Sequence, residues 1–159
     1  MRRSIMASSI GMIFLASVVA GCGGSSSSSK TTVANGGDIT VPLSTGTEIA
    51  VKAADTSATT QTLVATPLTA PVGDVTFTLT NAGTKTHEMI ILKTEDAIDK
   101  LVIGADNKVS EAASVGEISE TPAGKVVTKT FTLAAGNYIL VCNIEKHYAQ
   151  GMRTAFVVK

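Results

Sequence analysis

From about residue 39 onward, apolar residues recur at every second position over short stretches, and Gly, Pro and Asn separate those stretches. Residues 75–80 show the pattern most cleanly, with Val75, Phe77 and Leu79 on one face and threonines on the other. Residues 39–41 and 48–52 are shorter runs of the same kind. After a turn at Asn81-Ala82-Gly83, residues 87–92 read as a more fully apolar strand. Residues 125–133 alternate again, Ala135-Gly136-Asn137 turns the chain, residues 138–142 form a buried strand, and residues 153–158 close the sequence. Short strands repeated with this punctuation predict an all-β, antiparallel sandwich. One stretch departs from the rhythm. Residues 94–102 place Ala97, Ile98, Leu101 and Val102 at helical spacing, with Thr94 as an N-cap and Gly104 as a stop. Residues 93–124 are therefore expected to form a long insertion carrying a short helix on the sandwich.

The first residues follow another pattern. Met1-Arg2-Arg3-Ser4 is cationic, residues 5–20 are uncharged and largely apolar, and Val19-Ala20-Gly21-Cys22 follows. The apolar run is shorter than the roughly 20 residues a spanning helix needs, and its order of charge, apolar run and small residues is that of an export signal. Its last four residues resemble a bacterial lipobox, which implies cleavage before Cys22 and lipidation of that thiol. The expected organisation is a signal peptide at 1–21, a lipidated Cys22 with a Gly/Ser tether at 22–38, and one domain at 39–159. The protein is then expected in the cell envelope, lipid-anchored on the extracytoplasmic side of a bacterial membrane.

Composition narrows the function. The 159 residues carry 13 basic and 13 acidic side chains. No basic field exists to grip a phosphate backbone, so a nucleic-acid partner is not expected. With only two Cys, there is neither a disulfide framework nor a four-cysteine zinc site. Lipidation of Cys22 leaves Cys142 as the one thiol of an exported chain, and burial or metal ligation would each explain its survival there.

The chemistry-bearing segment runs from Tyr138 to Met152. It contains Cys142, His147 and Met152 in the order C-x4-H-x4-M, between one strand and the next. The chain's other histidine, His87, opens the strand after the Asn-Ala-Gly turn. Taken singly, a Cys is more often a buried small hydrophobe and a Met more often core packing. Together they form a donor set of one thiolate, two imidazoles and a weak thioether, which suits copper in both oxidation states. Zinc accepts Cys and His as well, but has no use for the Met.

Residues 142–152, with Asn81-Ala-Gly-Thr-Lys-Thr-His87-Glu upstream, resemble the cupredoxin family of small blue-copper proteins, and most closely its sulfocyanin-like, lipid-anchored bacterial members. The resemblance spans about residues 39–159. It implies a Greek-key β-sandwich with one type 1 copper ion near one end, held by His87, Cys142, His147 and Met152. It also implies a hydrogen bond from the Glu88 amide to the Cys142 sulfur, which tunes the potential. Where such relatives carry Pro-Gly before the second His, this chain has Glu145-Lys146, placing two charges beside the expected electron port. The implied function is carriage of single electrons between redox protein partners such as a cytochrome, an oxidase or a reductase. A copper-binding or copper-delivery lipoprotein without a redox role is the alternative. A binuclear copper oxidase site needs a second Cys between Cys142 and His147, so an enzyme is not expected.

Overall fold

The computed structural model describes residues 46–159. They form nine strands: β1 (Thr47–Asp55), β2 (Gln61–Thr66), β3 (Thr69–Ala70), β4 (Gly73–Asn81), β5 (His87–Lys93), β6 (Ser114–Thr121), β7 (Val126–Leu133), β8 (Gly136–Val141) and β9 (Arg153–Val158). One sheet has the order β2-β1-β4-β7 and the other β3-β9-β8-β5-β6. The all-β sandwich is as expected, but its sheets are mixed rather than antiparallel. β1 runs parallel to β4, and β3 parallel to β9. The run expected at 39–41, the leader, Cys22 and the tether lie outside the described residues.

Alternation sets the core. Val75, Phe77 and Leu79 of β4 are completely buried, and the register seats Ile49 of β1 opposite Phe77 and Val51 opposite Leu79. Phe77 sits edge-on to Phe156 of the facing sheet, ring centroids 5.4 Å apart. Burying side chains of this size contributes about 1.5–3 kcal/mol each. The core continues without a break to Cys142 and Met152.

β5 and β8 read as near-continuous apolar runs because both of their faces are covered. Their outward residues Ile90, Leu92, Ile139 and Val141 form a second cluster with Val109 and Tyr148, and Ile98 and Leu101 pack against it. The cover is the insertion, which leaves the sandwich at the far end of β5 and returns along β6. Its second half is thus an edge strand, paired with β5 across two register shifts. The short helix expected at 94–102 is absent, and no helix occurs among the described residues. Thr94 does act locally as a cap, its Oγ1 accepting from the Asp96 amide at 3.1 Å. The segment then makes a single turn, Lys100 N–H to Ala97 C=O at 2.9 Å. The Tyr148 hydroxyl takes the Ile98 carbonyl at 2.9 Å, and Val102 faces solvent. So short a stretch cannot offset helix nucleation when tertiary contacts claim its carbonyls and apolar side chains.

Candidate metal centre

His87 is the first residue of β5, and Cys142 follows the last residue of β8. These strands are antiparallel neighbours, with Ile90 opposite Val141, so the sheet itself brings both residues to one end of the sandwich. His147 and Met152 lie on the connection from β8 to β9. That loop is drawn tight by its own backbone: Cys142 N–H donates to Met152 C=O (3.1 Å), Met152 N–H to His147 C=O (3.0 Å), and His147 N–H to Ile144 C=O (2.9 Å). Gly151 has φ +111°, and a Cβ there would stand 2.7 Å from the Gln61 carbonyl, so only glycine fits. Lys146 also adopts a left-handed conformation, φ +71°. The loop therefore keeps a glycine-type turn at Glu145-Lys146 despite the absence of glycine.

Three of the four expected residues present their donor atoms to one another. One ligand atom each from His87, Cys142 and His147 lies within 4.8 Å of the other two, and all three residues are buried. His147 Nδ1 is 3.3 Å from both His87 Nδ1 and Cys142 Sγ. Met152 is fully buried in the core beside Cys142, its backbone bonded to Cys142 and His147 as described. The Glu88 amide donates to Cys142 Sγ at 3.4 Å, the contact expected of it.

Burial shapes the electrostatics. It pushes the Cys142 thiol up to about 11, the Glu88 and Ile144 amides opposing it only partly. Burial also pulls His147 down to about 4, helped by His87 and Lys85. His87 is lowered by burial too, against the pull of Asp55. At neutral pH the site therefore offers two uncharged imidazoles and a thiol whose proton a metal must displace, and a soft cation does that best. The donor set fits copper.

Two neighbours escaped sequence reasoning, Asn143 and Asp55. The Asn143 side chain is buried and holds both backbone groups of Val109: Oδ1 accepts from Val109 N–H (2.8 Å) and Nδ2 donates to Val109 C=O (2.9 Å). Nδ2 also donates to Glu111 Oε1 at 2.7 Å. The Asn143 amide in turn donates to Glu88 Oε1 at 3.0 Å, and burial raises that carboxyl above its ordinary value. Lys146 N–H reaches Asn107 C=O at 3.0 Å. The insertion is thus clamped to the loop that carries His147. The second neighbour is Asp55, at the end of β1, with Oδ1 3.2 Å from His87 Nε2. Burial works to raise its carboxyl, but hydrogen bonds from the Thr84 and Lys85 amides and the Thr84 hydroxyl outweigh it and leave the group below its ordinary value.

Solved structures with this fold include auracyanin from Roseiflexus castenholzii (22% identity, TM-score 0.50, covering 69% of this chain and 96% of that one). Azurin Az-iso2 from Methylomonas sp. strain J (19%, TM-score 0.52, covering 71% and 98%) and rusticyanin from Thiobacillus ferrooxidans (22%, TM-score 0.51, covering 72% and 79%) share it as well. Among curated proteins no sequence matches. Together with a sulfocyanin-domain match over most of the chain, the fold and the His–Cys–His cluster are those of a cupredoxin, a blue copper protein. Residues 40–159 match the sulfocyanin (SoxE) domain, and the chain belongs to that family. Its cofactor is one type 1 copper ion. Cupredoxins are single-electron carriers rather than enzymes.

Proposed function

We propose that this chain carries single electrons between redox proteins at a copper ion held by His87, Cys142 and His147, with Met152 as a weak fourth donor. The observation that carries the reading is the convergence of one ring nitrogen from each of His87 and His147 with the Cys142 sulfur, all within 4.8 Å, in a buried site of a sulfocyanin-family chain. Copper, when bound there, supplies the Cu(II)/Cu(I) couple. The chain's own residues do the rest. β5 and β8 hold His87 and Cys142 on adjacent strands, the Asn143 and Lys146 bonds to the insertion restrain the loop, and burial excludes water. A restrained donor set rearranges little when an electron arrives or leaves. The Glu88 amide draws electron density from the sulfur. His147, the least buried of the three, is the port.

The amino-terminal reading belongs to the same proposal: a signal peptide at 1–21, lipid on Cys22, and a tether at 22–38 holding the domain on the extracytoplasmic side of the membrane. Redox protein partners follow from the carrier role.

Absorption and EPR spectra of the copper-loaded protein test the site. An intense visible sulfur-to-copper band is expected, and it should vanish in Cys142→Ser because a serine oxygen supplies no such charge transfer. Retention of that band in the variant refutes the assignment. Reversible voltammetry is expected of a carrier, whereas loss of Cu(I) during the scan marks a delivery protein.

A further inference from the structure

His87 Nε2 and Asp55 Oδ1 are both buried, and neither has a hydrogen-bond partner elsewhere in the protein. They lie 3.2 Å apart, in contact though not aligned as a good hydrogen bond. The other carboxylate oxygen, Oδ2, is fully engaged: it accepts from the Thr84 amide, from the Thr84 hydroxyl at 3.1 Å and from the Lys85 amide at 3.0 Å. Asp55 is thereby fixed from the loop side, with one oxygen left over for the imidazole. Gly83 closes the pocket, since a Cβ on it would stand 2.5 Å from Asp55 Oδ2 and 2.8 Å from His87 Nε2.

A carboxylate accepts and cannot donate, so the nitrogen beside it must carry the ring proton. Which imidazole nitrogen is free to ligate is set by the bond the other one makes. We infer that Asp55 is the positioning residue for His87: its carboxylate holds the neutral ring as the Nε2–H tautomer, keeps the Nδ1 lone pair turned toward Cys142 and His147, and places a negative charge beside the site that favours the oxidised metal. This rests on the reading of His87 as a copper ligand. Asp55 comes from the sheet that supplies none of the expected metal-binding residues, which makes it a tie between the two layers at the metal end.

Asp55→Asn makes a sharp test. One oxygen cannot serve both the Thr84–Lys85 amides and the ring, and three donors on the loop side claim it. The side-chain NH2 then faces His87 Nε2, which must become an acceptor, and the ring proton moves to Nδ1. Nitrogen-15 NMR of the copper-free full chain should show His87 protonated on Nε2 in the wild type and on Nδ1 in Asp55→Asn. Copper affinity should fall 10- to 100-fold. Asp55→Ala removes the charge without imposing a tautomer, and its one-electron equilibrium should shift about tenfold toward the reduced form, a rise of about 59 mV in reduction potential. Should Asp55→Asn fail to fold, Gly83→Ala wedges the pair apart with Asp55 intact and should also weaken copper binding at least tenfold. A wild-type tautomer and affinity in folded Asp55→Asn, or an unmoved potential in Asp55→Ala, overturns the role of Asp55. A wild type without the sulfur-to-copper band overturns instead the ligand reading beneath it.

Discussion

Removing the Asn143 side chain should release the insertion from the metal loop. Asn143→Ala deletes two bonds to the backbone of Val109 and one to the Glu111 carboxylate. Val109 is buried, so its N–H and C=O are left facing protein with nothing to pair with. At about 1 kcal/mol for each neutral bond and about 1.5–2 for the charged one, the loss is about 3.5–4 kcal/mol. For a domain of this size that lowers Tm by roughly 15 °C. The assay is thermal unfolding of the copper-free protein, so that metal binding does not mask the change, together with amide exchange across residues 94–113. Exchange should accelerate there and stay slow in β4. Asn143→Asp adds a control. Its carboxylate can still accept from Val109 N–H but confronts Glu111 with like charge, so it should also destabilise. A loss below about 1 kcal/mol in Asn143→Ala, or exchange unchanged in 94–113, would refute the clamp.

Met152→Gln should keep copper bound yet lower the reduction potential, because an amide oxygen favours Cu(II) more than a thioether does; an unmoved potential in voltammetry puts the Met152 sulfur outside the site. Phe77→Ala should lose about 3–5 kcal/mol in denaturant unfolding, as it empties the contact between the sheets. Chelation of copper should lower Tm, since metal at 100 times its Kd adds about 2.7 kcal/mol to the folded state; identical melting curves with and without copper would show that the metal is not bound in the fold. Cys22→Ser should release the protein from membranes or block its processing, and intact-mass measurement of an unmodified Cys22 would remove the anchor from the proposal.

Much of the sandwich was legible because burial on one face imprints period two on a strand. β4 is the clearest example, and β5 and β8 announced themselves by apolar runs that only two covered faces explain. β2 and β6 went unread for physical reasons. β6 is an edge strand in which Ile118 is the sole buried hydrophobic residue, so there is almost no alternation to detect. β2 carries only Leu63 and Ala65 as inward apolar residues behind a polar Gln61. Parallel pairing of β1 with β4 depends on how distant segments dock, which local pattern does not encode. Of the residues at helical spacing in 97–102, only Ile98 and Leu101 pack on the cluster that holds Ile90 and Leu92, while Val102 faces solvent, and that contact needs no helix. At the metal centre, His87, Cys142, His147 and Met152 stood out by chemistry and order. Asp55 ends an ordinary Ala-Ala-Asp run, and Asn143 is one more polar residue in a loop. Nothing in composition or spacing marks either of them, because their roles come from partners remote in sequence.

The arrangement of β8, the loop and β9 as one hairpin has a consequence for inheritance. Cys142, His147 and Met152 travel together on a single uninterrupted stretch, whereas His87 belongs to the resident strand β5. Lengthening or shortening the chain between Cys142 and His147 changes what surrounds the metal while leaving the core register between β1, β4 and β7 untouched. Small insertions in that one loop can therefore alter the surroundings of the metal while the fold stays as it is.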